Sequence, residues 1–255
     1  MQRHQEQTLK ADPFAQLKLL DVQTLDARID QLNHLMAALP EAIALRETTE
    51  RRIDVGTEHG RARTEVDDLA REQRKADADV EQVKARKERN RQRIDAGQVS
   101  DPKQLQAMEH ETQSLDKRIA DLEDAELEVM ERLEQAQSDL ARLGAELEQL
   151  EAREVEQTEA RDRAAGEVGR QLEESGAERE ILAEQLPADL RALYERLRAH
   201  LGGVGAGALR HGRCGGCQLD VGAAELARMA NAPSDEVLRC EECSRILVRT
   251  AESGI

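Results

Sequence analysis

From Leu105 onward, side chains recur at alternating spacings of three and four: Leu105, Met108, Thr112, Leu115, Ile119, Leu122, Glu126, Val129, Leu133, Ala136, Leu140, Leu143, Leu147 and Leu150. Only Thr112 and Glu126 break the apolar register. A 3.5-residue repeat held that long keeps one apolar stripe facing a partner helix, and it predicts a left-handed coiled coil. The stripe turns polar at Glu154, Gln157 and Arg161 and returns at Ala164, Val168 and Leu172, which predicts looser pairing there. An earlier seam runs through Leu25, Ile29, Leu32, Met36, Leu39 and Ile43, and another through Ala62, Val66, Leu69, Ala76, Val80 and Val83. These two are out of phase. The shift is expected between Ile53 and Ala62, beside Gly56 and Gly60, with local unwinding or a change of partner face there. Pro40 lacks a backbone donor and disfavours helix geometry at Leu39, so a kink or break is expected there.

Ala96 to Pro102 reads as a reversal, with Gly97 as helix terminator, Asp101 as N-cap and Pro102 at the first helical position. About 85 residues run back from it to Pro13 and about 85 forward to Leu186, before Pro187. Matched arms predict an antiparallel hairpin within one chain, roughly 125 Å long at ~1.5 Å per residue. A monomeric hairpin is favoured on this ground, although the same seam would also serve a dimer. Residues 187–200 read as a short third helix with Leu190, Leu193 and Leu197 on one face, at the hairpin's open end. Phe14 and Tyr194, the only aromatics, are expected to pack together there.

Composition supports long paired helices over a broad globular core. Of 255 residues, 35% are charged and 1% aromatic, while the 39% that are apolar are mostly Ala and Leu. No run approaches the ~18 apolar residues of a membrane span, and the start MQRHQEQTLK lacks a signal-peptide stretch, so a soluble cytoplasmic protein that binds no membrane is expected. The formal charge is −16. Such a surface repels nucleic acid in general. One local exception lies between Lys84 and Lys103, where Lys84, Arg86, Lys87, Arg89, Arg91, Arg93 and Lys103 outnumber Glu88, Asp95 and Asp101, a net of +4.

All four cysteines lie near the C-terminus: Cys214-Gly-Gly-Cys217 and Cys240-Glu-Glu-Cys243, separated by 22 residues. Two such turns let paired thiolates converge on one centre, and four thiolates complete a closed tetrahedral zinc shell. The cofactor expected is one structural zinc ion. Iron on the same sulfurs is chemically admissible, whereas a thioredoxin-like disulfide lacks its βαβ surroundings. Four sulfurs leave no open position for catalytic water, and His211 reads as a surface residue. Leu209 to Arg213, Val237 to Arg239 and Ile246 to Arg249 are expected as short strands, and Ala223 to Ala230 as a short helix. Gly202 to Gly207 reads as a flexible connector, since the strand, helix and Lys-Ser/Thr of a phosphate loop are absent. About 50 residues without an aromatic are too few to fold alone, so metal binding should supply much of the folding free energy. The module then reads as a small knob that caps the rod. The chain accordingly divides into a polar N-terminal tail (1–12), a helical coiled-coil hairpin (13–200) with its turn near 96–102 and a third helix over 187–200, and a linker with a four-cysteine zinc ribbon (201–255).

On these residues the chain resembles the bacterial family of C4-type zinc-ribbon proteins with an N-terminal coiled-coil hairpin. The resemblance is carried by Leu17 to Asp26 (LKLLDVQTLD), by Val99 to Glu111, by Leu190 to Arg198, by Gly212 to Cys217 and by Arg239 to Leu247. It implies a mainly α fold, a long antiparallel coiled-coil hairpin followed by a small C-terminal zinc ribbon, with the four cysteines as metal ligands. It also implies a nucleic-acid-binding or partner-binding role. Gln218, Ser244 and Val248 stand where His, Gly and Tyr are common in that family, and the lost Tyr removes a base-stacking surface.

No clustered acid, base and nucleophile is present, so no enzyme is expected. Two roles are weighed. In the first, the protein is a non-enzymatic adaptor for an as yet unspecified protein partner, with a structural zinc. In the second it binds RNA or DNA, or acts with the transcription machinery, through the ribbon and the basic hairpin tip. The candidate contacts are Arg86, Lys87, Arg89, Arg91 and Arg93 at the tip and Arg213, Arg239 and Arg245 in the ribbon, with Arg210 and Arg249 beside them.

Overall fold

The structure, a computed structural model, describes residues 9–255. Among these described residues five helices and four strands follow in the order α1 (Pro13–Ala37), α2 (Pro40–Asp95), α3 (Pro102–Glu184), α4 (Ala188–His200), β1 (Ala206–Arg210), β2 (Arg213–Cys214), α5 (Ala223–Asn231), β3 (Leu238–Arg239) and β4 (Ile246–Val248). This is the long helical hairpin with a small strand-bearing C-terminal module. The chain forms two compact units, one of residues 44–158 and one that joins the N-terminal segment through Ile43 to residues 159–255. None of the described helices is long and apolar enough to cross a membrane.

In residues 44–158 the hairpin is held by one aliphatic seam. Val55 packs with Leu143, Leu147 and Leu150, and Leu69 with Leu133 and Ala136. On α3 the buried and half-buried positions are the ones the repeat marks, including Ile119, Val129, Leu133, Ala136, Leu143 and Leu150. Where the seam turns polar, Glu154 accepts a hydrogen bond from Thr49 at 2.6 Å and lies 2.7 Å from the Arg52 guanidinium. The reversal forms as expected. Gly97 takes φ +65°, Gln98 N–H bonds the Arg93 carbonyl, and Asp101 Oδ1 accepts from Lys103 N–H at 3.0 Å.

The phase shift lies elsewhere than expected. Helix α2 runs unbroken through Gly56 and Gly60, and neither has a neighbour within 4 Å of where a Cβ would stand. Instead Leu25, Leu32 and Leu39 step by seven, the next step to Thr48 is nine, and steps of seven resume at Val55, Ala62 and Leu69. The break at Pro40 absorbs the two extra residues. Ala38 N–H closes α1 on the His34 and Leu35 carbonyls, and the Leu39 carbonyl opens α2 by accepting from Ala42 and Ile43.

The other unit is a two-layer core. Leu19 and Val22 of α1, Leu186, and Leu190, Tyr194 and Leu197 of α4 pack against Ala206, Val237, Ile246 and Val248. The sheet order is β2-β1-β4-β3, with β1 and β4 parallel and both outer pairs antiparallel. Strand alternation sends Ile246 and Val248 to the helical layer and Leu247 to a second cluster with Leu209, Leu238 and Met229. The module is therefore one wall of a shared core, not a knob. Val248 faces inward, so that position offers no stacking surface in this chain.

Three further expectations are corrected here. Phe14 is 76% exposed and does not meet Tyr194, whose ring is fully buried. Gly202 to Gly207 is not a loose connector: Gly205 and Ala206 N–H groups donate to Gln23 Oε1 at 2.8 and 3.2 Å, and a Cβ on Gly205 would collide with Tyr194. Residues 9–12 are not a free tail. Val237 N–H bonds the Leu9 carbonyl and Ala11 N–H the Asp235 carbonyl, so this strip pairs antiparallel beside β3. The rest of that segment, residues 1–8, lies outside the described residues.

Candidate metal centre and its surroundings

The two cysteine turns are built alike. Cys214 N–H bonds the Leu219 carbonyl, and Gln218 N–H returns to the Cys214 carbonyl at 2.8 Å. Cys240 N–H bonds the Arg245 carbonyl, and Ser244 N–H returns to the Cys240 carbonyl, also at 2.8 Å. Gln218 and Ser244 occupy matching places with φ of +64° and +60°, a left-handed conformation that suits glycine. Glycine is thus the unstrained choice at position 244, and this chain carries Ser there. Gly207 lets the first turn lie on β1, because a Cβ there would stand 2.5 Å from Gly216 N.

The four Sγ atoms lie within 4.8 Å of one another, and Cys214–Cys243 and Cys217–Cys240 are each 3.9 Å apart. Bonds of ~2.3 Å at tetrahedral angles require sulfurs about 3.8 Å apart. A disulfide needs about 2.05 Å, and all four cysteines are free. The set therefore fits one zinc ion with a closed shell. Among the thiols themselves, burial pushes Cys214 up to about 12 and also raises Cys240. Burial opposes ionisation of Cys243 as well, but the N–H and side chain of Arg245 with the Cys240 and Cys217 thiols outweigh it and bring Cys243 down to about 7. A divalent cation resolves this crowding, since it takes thiolates and releases their protons. His211 is exposed, as expected.

The ribbon arginines divide by role. Arg245 donates to the Val204 and Leu201 carbonyls, both at 2.8 Å, and Arg249 to the Ala232, Pro233 and Glu236 carbonyls, so both brace the fold rather than face outward. Arg239 donates to the Ser244 carbonyl, Arg213 pairs with Asp220 at 3.0 Å and Arg210 with Glu252 at 3.2 Å. Near the hairpin turn, Lys84 pairs with Glu123, Arg86 with Glu111, Lys87 with Asp116 and Arg91 with Asp95. Arg89 and Arg93 are exposed and form no ion pair among the described residues.

A buried polar cluster escapes the sequence reading. Asp26, with a side chain 4% exposed, accepts from Tyr194 Oη at 2.6 Å and from Arg179 Nε at 3.1 Å; Arg198 Nε lies 3.3 Å away without hydrogen-bonding alignment. Arg179 also meets Glu195, and Arg198 meets Asp30 at 2.8 Å. Burial, reinforced by the Asp26 hydrogen bond, raises the Tyr194 phenol above its ordinary range. Burial disfavours the Arg179 charge, but its bonds to Glu195 and Asp26 prevail and hold its proton more firmly. The one visible signal is an acidic residue next to seam residue Leu25, in the LKLLDVQTLD stretch.

A helical hairpin whose open end is walled by a four-cysteine ribbon defines a class of zinc-ribbon coiled-coil proteins. Residues 22–202 match the CT398-like coiled coil hairpin domain and residues 213–247 the C4-type zinc ribbon domain, and the chain belongs to this family. A Mycobacterium tuberculosis relative is 34% identical over 241 residues, which are 94% of this chain and 98% of that protein. The solved structure of a Mycobacterium smegmatis protein matches with TM-score 0.80 and 31% identity over 95% of this chain and all of the other. The fold is also that of CT398 from Chlamydia trachomatis, with TM-score 0.70 and 18% identity over 92% of this chain and 98% of that one.

Proposed function

We propose that the protein is a non-enzymatic cytoplasmic adaptor, a helical hairpin with a zinc-stabilised module that binds protein partners. The observation that carries this reading is the disposition of its positive charge. Arg245 and Arg249 are engaged with backbone carbonyls, and Lys84, Arg86 and Lys87 near the tip with carboxylates of α3, within a chain of net charge −16. An acidic chain of this kind repels a phosphate backbone, and neither the ribbon nor the hairpin tip carries a Phe, Tyr or Trp to stack on a base. A zinc ion held by four thiolates has no open coordination position, which argues against hydrolytic chemistry.

The second reading, nucleic-acid or transcription-associated binding, draws on Arg89, Arg93 and Lys103 near the turn, the cations of that patch without a carboxylate partner among the described residues. Co-purification of the tagged protein from its host, split into nuclease-treated and untreated halves, separates the two. Protein partners that survive nuclease are expected. RNA or DNA in the untreated half, with proteins lost on treatment, would overturn the adaptor reading.

A further inference from the structure

Between the outer face of α1 and the β1–β2 side of the ribbon lies a groove of about 770 Å³. Its α1 wall is the stripe Leu20, Gln23, Thr24, Ala27, Arg28 and Gln31, spaced as one helical face and roughly 16 Å long. Small apolar groups, among them Val204, Ala206 and Ala208, face this wall from the ribbon, while Arg210 and Arg213 stand with Arg28 as the charged groups that line the groove. Arg28 is exposed and has no ion pair among the described residues. The partners of the other two, Glu252 and Asp220, belong to exposed pairs; such pairs contribute little and exchange readily for other carboxylates.

We propose that this groove docks an acidic peptide segment of a partner protein, with small or aliphatic side chains against Leu20, Ala27 and Ala208 and carboxylates on Arg28, Arg210 and Arg213. This rests on the adaptor reading and gives that reading a place and a chemistry. Charge complementarity selects the occupant: three arginines line a concavity on a protein whose net charge is −16. A wall of roughly 16 Å accommodates about three turns of helix or about five extended residues. Nucleic acid fits less well, because nearly half of the lining is aliphatic or glycine and none of it is aromatic.

The test uses the zinc-loaded full chain and fluorescence anisotropy with three labelled probes: a short peptide alternating Glu-Glu with Leu-Ala pairs, its Lys-for-Glu counterpart, and a short single-stranded RNA. The acidic peptide should bind best. Arg28→Glu should weaken it about 10-fold, and Ala27→Trp, which fills the groove without changing charge, should weaken it too. Unchanged helicity and zinc content would show that both variants fold. Preference for the Lys peptide or the RNA overturns the proposal, as does acidic-peptide binding that neither variant weakens. Running wild type and Arg28→Glu through the nuclease-treated co-purification separates the two failures. Partners kept equally by both would remove the groove and leave the adaptor, whereas no nuclease-resistant partner of wild type would remove the adaptor itself.

Discussion

Residues 44–158 and the unit that joins 9–43 to 159–255 are both largely helical, yet they are stabilised differently. The first has one aliphatic stripe per arm and its charges on the outside, paired with neighbours at little net gain. The second buries a carboxylate, a phenol and a guanidinium together, closes four thiols on one centre, and covers both faces of a small sheet. A repeated seam tolerates local change because each layer contacts only the next. A shared core with a polar network does not, since removal of one member leaves another buried and unpaired.

Metal removal should separate the units most sharply. Chelation, or Cys240→Ser, forfeits a binding free energy on the order of 10 kcal/mol for structural zinc sites. Amide signals of residues 206–249 are then expected to collapse in heteronuclear NMR, while the helical circular dichroism of residues 44–158 persists. If the ribbon signals survive without metal, the core shared with α1 and α4 is stable by itself.

Asp26→Ala comes next. It leaves the buried Tyr194 hydroxyl without a partner and Arg179 with Glu195 but not Asp26, at a cost of about 3 kcal/mol. Hydrogen exchange should show the loss in α1, α4 and β4 and leave α2 beyond Ala44 as protected as before. In the seam, Leu69→Ala should cost about 2 kcal/mol, the lower end for a buried leucine, because a two-helix seam can partly close around the gap. Its effect should be confined to residues 44–158.

Alkaline pH probes the network without mutation. The folded Tyr194 phenol holds its proton more tightly than the unfolded one, so its contribution is fully present below the unfolded value of ~10 and is lost as pH rises beyond it. Denaturant midpoints followed from neutral pH upward should therefore fall past pH ~10, and less steeply in Tyr194→Phe. The smallest effect belongs to Arg51→Ala, which breaks an exposed pair with Glu146 at 2.7 Å and should change stability by no more than ~0.5 kcal/mol.

The contrast also decides what the sequence reveals. Heptad positions from Leu105 to Leu150 are legible because a seam depends only on spacing, and the cysteine pairs because metal geometry demands two short turns. Pro40 is legible as a break. That the same break re-phases the seam is not, since Gly56 and Gly60 offer a competing explanation that only their open surroundings remove. Gln23 and Arg245 look like surface residues until the carbonyls and N–H groups of 201–206 are seen beside them. The partners of Asp26 lie 153 and 168 residues away along the chain, which no local pattern encodes.

That separation carries a consequence for synthesis. The face of α1 that presents Leu19, Val22 and Asp26 is made well before the residues that cover it, from Arg179 to Val248. At ~5 to 20 residues per second the interval is roughly 10 to 40 s. The nascent chain can zip residues 44–158 by nearest-neighbour contacts during that time, while its first helix waits with a charged and an apolar surface uncovered. Closure of the base is thus a delayed, non-local event, and the growing chain is most vulnerable to proteases and to mispairing just before β4 arrives.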